Sequence, residues 1–192
     1  MVKKRRKKFQ IDRTDAKIIK ILYEDGRESL VSIGEQVNLT HPSVKERLKK
    51  LVDAEIIKIQ ANMNLKKLGF SVGFVFMEIS DPQSVGDVIE KLAECPRILM
   101  MGYTSGIYNL ILIVVAPNPD ILRAFVEKNL RSIPNIRRLD FSLGEIASPK
   151  FFPMRIILEE KYKEKCDKCI FKKTLNLCPG CRGIMEEIKN MR

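Results

Sequence analysis

The stretch "SLVSIGEQVNLTHPSVKERLKKL" (29–51) limits the possible folds more than any other part of the chain. Ser29 and Thr40 are residue types that cap helix N-termini, because a hydroxyl oxygen can accept one of the amide protons left unpaired in a first helical turn. Asn38 falls between them, and asparagine tolerates the left-handed backbone that ends a helix. Start, stop and start signals this close together allow only two short helices joined by a tight connection. They are predicted over 29–37 and 41–55, the second repeating Val44, Leu48 and Leu51 at helical spacing. Upstream, "DRTDAKIIKILYEDG" (12–26) predicts a supporting helix that Asp12 or Thr14 can cap, with Ile18, Ile19 and Leu22 on one face and Gly26 at its end. A winged-type helix-turn-helix is therefore expected over 11–57, behind a basic tail at 1–10.

From residue 71 the apolar pattern changes. "SVGFVFMEIS" (71–80), "RILMMGYTS" (97–105), "IYNLILIVVA" (107–116) and "IRRLDFSLGEI" (136–146) predict strands. "DPQSVGDVIEKLAEC" (81–95) and "NPDILRAFVEKNLRSI" (118–133) predict helices. The order βαββαβ over 71–158 is the ferredoxin-like arrangement, with both helices on one face of an antiparallel sheet, so the whole chain is of the α+β class. The second sheet face needs a cover, and another copy of the chain would supply one. Residues 58–70 form a partly extended connector.

Net charge is +11 and unevenly spread. Residues 1–60 hold 15 Lys/Arg against 9 Asp/Glu, 61–158 hold 11 against 9, and 159–192 hold 9 against 6. Basic ends point to a polyanion, double-stranded DNA before an anionic membrane; a lysine-rich solvated surface is the alternative. The helix over 41–55 fits a major groove and presents His41, Ser43, Lys45, Glu46 and Arg47, followed by Lys49 and Lys50. Arg47 is the foremost candidate for a bidentate base or phosphate contact, and Lys45, Lys49 and Lys50 suit phosphates. "KKRRKK" (3–8) either lies along the DNA or is a solubility segment.

Cys166, Cys169, Cys178 and Cys181 form two Cys-x-x-Cys knuckles within 159–192. Four thiolates at this spacing suit a closed tetrahedral structural zinc site, with an iron–sulfur centre or a dithiol switch as alternatives. A segment this short buries little core, so metal would supply its folding energy. It would stabilise the fold, clamp subunits, add basic surface or recruit another protein. Cys95 is expected as a small buried residue. The charged start is not followed by an apolar signal region and "NLILIVVA" (109–116) is too short to span a bilayer, so a cytoplasmic protein without membrane attachment is expected.

Residues 11–51 resemble the N-terminal domain of the Lrp/AsnC, or feast/famine, transcription regulators. The resemblance is carried by Ile11-Asp12 and Asp15, the Asp25-Gly26-Arg27 turn, and Arg47 to Leu51. The βαββαβ order that follows is similar to that family's regulatory domain. The resemblance implies a DNA-binding regulator that forms dimers or higher oligomers, up to octamers, and takes a small-molecule effector. It also implies an effector site at Gly106, Tyr108 and Asn109, with asparagine where the family usually has aspartate. The siroheme decarboxylases resemble the same family, and their chemistry is thought to rest on histidines and arginines. The single histidine here, His41, lies in the recognition helix, so no enzyme is expected; the alternative to a DNA-binding regulator is an oligomeric ligand-sensing or protein-interaction module that has lost specific DNA binding.

Overall fold

A computed structural model describes residues 9–81, 84–93 and 95–153. The chain divides into two compact units between Ala61 and Asn62. The four cysteines of the 159–192 segment lie outside the described residues.

The first unit consists of α1 (Arg13–Glu24), α2 (Leu30–Val37) and α3 (His41–Asp53). Asp12 caps α1 through a capping box with Asp15, which also settles the choice between Asp12 and Thr14. Ile18, Ile33 and Val44 form the buried cluster, flanked by Ile21, Leu22, Leu30, Val37 and Leu39. The inward face of α1 therefore runs through Ile18, Ile21 and Leu22, and Ile19 lies only half-buried beside it. The expected wing is not formed, because residues 9–61 contain no strand. The amides of Ile56 and Ile57 turn back onto the Leu51 carbonyl at 2.9 and 3.4 Å, and Glu55 sits at φ 56°, so the chain curls off α3 instead of running out into a hairpin.

The second unit holds β1 (Ser71–Ile79), α4 (Ser84–Leu92), β2 (Ile98–Tyr103), β3 (Leu110–Ala116), α5 (Pro119–Phe125) and β4 (Ile136–Gly144). The strands lie in the antiparallel order β2-β3-β1-β4, the ferredoxin-like topology. Alternate residues Val75, Met77 and Ile79 of β1 and Leu110, Leu112 and Val114 of β3 pack beneath α4 and α5 with Val88, Leu92, Leu122 and Phe125. Cys95 is half-buried against this core. The helix predicted over 118–133 is α5 followed by a π-helical turn, Val126–Leu130. Within that turn Asn129 is buried, and its amide Nδ2 and Oδ1 have no hydrogen-bond partner among the described residues.

The opposite sheet face is partly covered by the chain itself. Leu65, Phe70, Val72, Ile113 and Val115 form a second cluster, joined by Met63, Leu68, Ile146 and Phe152. Met63 and Phe152 exchange backbone hydrogen bonds at 2.7 and 2.9 Å. Residues 62–70, which the pattern suggests are an extended linker, thus fold onto the sheet because their apolar side chains have that surface to bury. Beyond this cover Met100, paired with Ile113, stays exposed, and Phe76 and Ile111 are only half-buried.

Candidate nucleic-acid interface and effector turn

The geometry of α3 is set by what precedes it. Ser29 Oγ accepts from the Ser32 amide at 3.1 Å and starts α2. Asn38 ends α2 in the left-handed conformation, φ 58° and ψ 46°. The backbone then passes so close to α2 that a Cβ on Gly34 would lie 2.6 Å from the Leu39 carbonyl oxygen. Only glycine fits there, and it brings the start of α3 against α2. Thr40 stands at the N-cap of α3, but its hydroxyl pairs with the Ser43 hydroxyl at 2.9 Å and not with a backbone amide.

Burial of Val44 and Leu51 divides the rest of α3 into two stripes. His41, Lys45 and Lys49, spaced i, i+4, i+8, are all exposed, and neither lysine makes an ion pair with a described residue. Ser43, Arg47 and Lys50 follow the other side and line a cleft of about 410 Å³ with Phe9, Gln10 and Asp15. There Lys50 Nζ lies 2.8 Å from Glu46 Oε1, and this pairing lowers the Glu46 pKa. Arg47 Nη1 donates to Asp12 Oδ2 at 2.6 Å and to Asp15 Oδ1 at 2.8 Å. The Asp15 amide, followed by Arg47, holds the Asp12 carboxyl below its ordinary range, and the two carboxylates raise the Arg47 pKa.

At the β2–β3 turn, the three residues expected to meet an effector have different environments. Asn109 is fully engaged: its Nδ2 donates to the Ile79 carbonyl at 2.8 Å and its Oδ1 accepts from the Ile79 amide at 2.9 Å. The side chain thus acts as one more rung between β3 and β1, a job an aspartate could do only by half, since a carboxylate has no proton to donate. The Tyr108 hydroxyl donates to Asp140, which raises the tyrosine pKa, and its ring lies 5.9 Å from Phe76. The Tyr108 carbonyl accepts from Thr104 Oγ1. Gly106 is exposed and donates its amide to the same Thr104 oxygen at 3.3 Å, and a Cβ there would meet nothing nearer than 3.8 Å. Local turn chemistry hides the Asn109–Ile79 pair from the sequence, because the partners are 30 residues apart.

Comparison with known proteins assigns both units. The AsnC-type helix-turn-helix domain model matches residues 11–52 and the Lrp/AsnC ligand binding domain model matches residues 74–143. The transcriptional regulator FL11 of Pyrococcus horikoshii is 30% identical over 128 residues, spanning 66% of this chain and 83% of its own length. The chain belongs to the Lrp/AsnC family. Another relative, the regulator Ptr1 of Methanocaldococcus jannaschii, is 29% identical over 127 residues, covering 66% of this chain and 86% of Ptr1. Among solved structures the fold is shared with E. coli AsnC, with TM-score 0.64 and 20% identity over 74% of this chain and 99% of that one. It is also shared with a Neisseria meningitidis transcriptional regulator solved in complex with L-Met, with TM-score 0.65 and 23% identity over 73% and 93% of the two chains. This Lrp/AsnC protein is a sequence-specific DNA-binding regulator, and its relatives are consistently regulators and not enzymes. DNA binding together with oligomeric assembly fits the family. Among the described residues no helix is long and apolar enough to cross a membrane.

Proposed function

We propose that α3 enters the major groove with the His41–Lys45–Lys49 stripe toward the duplex. Lys45 and Lys49 hold phosphates, and His41, at the N-terminal end of the helix, stands nearest the base edges, with Ser43 at the margin of the contact on the cleft side. The single observation that supports this reading is the exposure of both lysines without an ion-pair partner among the described residues, on a helix whose other basic residues, Arg47 and Lys50, are already paired. Lys50 joins the contact at the rim, where its pair with Glu46 is exposed and weak enough to exchange for a phosphate.

The βαββαβ unit assembles as a dimer or a higher oligomer, up to an octamer, through the part of its open sheet face around exposed Met100 and half-buried Phe76 and Ile111. A small-molecule effector binds at the turn of Gly106 and Tyr108. Asn109 serves that turn by fixing its backbone to Ile79, so the ligand is held by the turn's other groups. Cys166, Cys169, Cys178 and Cys181 hold one structural zinc ion, and the segment they close is a stabilising cap that also offers a surface to a protein of the transcription machinery.

Selection from a pool of random duplexes with the full chain tests the DNA reading, since a roughly palindromic site should be enriched. Recovery of duplexes without a common sequence would count against it. Metal analysis of the same sample should give about one zinc per chain, falling on Cys178→Ser. Metal-free protein or iron in its place would refute the zinc assignment.

A further inference from the structure

Arg47 lies on the helix that reads DNA, yet its guanidinium is bound into the supporting helix. Asp12 and Asp15 form the capping box of α1: the Asp15 amide donates to Asp12 Oδ1 at 2.7 Å and the Asp12 amide donates to Asp15 Oδ2 at 3.2 Å. Each carboxylate therefore directs one oxygen to the cap, and each directs its other oxygen to Arg47 Nη1. The result is a closed ring of four hydrogen bonds joining the N-terminus of α1 to the middle of α3. Its members are far apart in the chain, 35 and 32 residues from Arg47.

The burial of Asp15 decides what the ring can do. Asp15 is only 8% exposed, and Arg47 is the cation that its outer oxygen faces. Drawing Arg47 away to a phosphate would leave a mostly buried carboxylate without its counter-ion, and that costs more than exchanging the partner of a pair exposed on both sides. Lys45 and Lys49 reach the duplex without breaking any such pair.

We infer that Arg47 is a positioning residue: it fixes the angle of α3 on α1 and does not itself contact DNA. This rests on the reading of α3 as the DNA-entering helix. Removal of the clamp weakens binding by misplacing the helix, without changing how many phosphates are neutralised.

Two readouts separate this from a direct contact, both measured on the full chain with its selected duplex across a salt series. Arg47→Gln should weaken binding on the order of tenfold, with the slope of log affinity against log salt unchanged. A phosphate contact would instead shrink that slope by about 0.9, as Lys45→Gln is expected to do. Asp15→Asn gives the second readout. If Asp15 merely competed with DNA for Arg47, the variant would free the guanidinium and tighten binding; as a clamp partner its loss must weaken binding. Asp12→Asn, at the more exposed end of the ring, should act in the same direction with a smaller effect and serves where Arg47→Gln fails to fold. A reduced slope in Arg47→Gln, or tighter binding by either aspartate variant, overturns the inference. Absence of site binding by the unaltered chain would instead overturn the reading of α3, and the clamp's role with it.

Discussion

Among the described residues of the helical unit the buried apolar side chains are only Ile18, Ile33, Val44 and Leu51, and the helices are tied by polar bonds and one left-handed stop: the Asp12–Asp15 box, the Ser29 cap, the Arg47 ring and Asn38. In the sheet unit the order is reversed. Fifteen buried side chains make one cluster under α4 and α5, five more make another on the far face, and the polar bonds sit mainly at the turns. The helical unit has little apolar area to bury and relies on exact chain geometry. The sheet unit has two faces to pack and can absorb small polar changes. Position-specific polar residues are therefore mechanistic in the first unit and peripheral in the second.

Four substitutions or conditions probe that contrast, in order of expected effect. Leu112→Ala removes a fully buried side chain from the sheet core and should cost about 2–5 kcal/mol in urea denaturation; a loss under 1 kcal/mol would mean the core carries less than its burial implies. Gly34→Ala forces a methyl against the Leu39 carbonyl and should cost about 1–3 kcal/mol. It should abolish DNA binding while the oligomer, measured by light scattering, persists; smaller assemblies would show that the units are not independent in this way. Asn109→Asp keeps the acceptor for the Ile79 amide but loses the donor to its carbonyl and sets an anion beside it, a change of about 1–3 kcal/mol confined to the sheet unit. The smallest effect is of opposite sign. Asn129→Leu replaces a buried amide that has no hydrogen-bond partner among the described residues and should stabilise the sheet unit by about 1 kcal/mol in thermal unfolding.

The pH dependence sharpens the comparison on the helical side. The folded-state pKa values of Asp12 and Glu46 are lowered, Asp12 mainly by the Asp15 amide and then by Arg47, and Glu46 by Lys50. A carboxyl depressed on folding contributes stability that is present above its unfolded pKa and is lost as pH falls through the folded value. The helical unit should therefore weaken below about pH 4, and Asp12→Asn should flatten that acid limb in a circular-dichroism titration.

The sequence made the local geometry of the helical unit readable and its long-range pairing unreadable. Ser29 and Asn38 act on neighbours within a turn, so their residue types alone place the ends of α2. Val44 and Leu51 point inward because helical spacing dictates it. The partners of Arg47 are set by how α1 crosses α3, a tertiary fact that no local pattern encodes, and so a residue read as the foremost DNA contact is found bound to Asp12 and Asp15. In the sheet unit the apolar run at 71–80 was enough to mark β1 as a strand, whereas Leu65 and Phe70, lying in a stretch without strand periodicity, gave no sign that they would cover the sheet's other face.

The measurement that bears most directly on the account is the affinity of the full chain for its selected duplex over a salt series, beside the Lys45→Gln, Lys49→Gln double variant. If the exposed stripe of α3 holds phosphates, the double variant binds more weakly and its salt slope is smaller by about 1.8, two phosphates' worth. The same affinity and the same slope in the double variant would contradict it and move the DNA-binding face elsewhere on the helical unit.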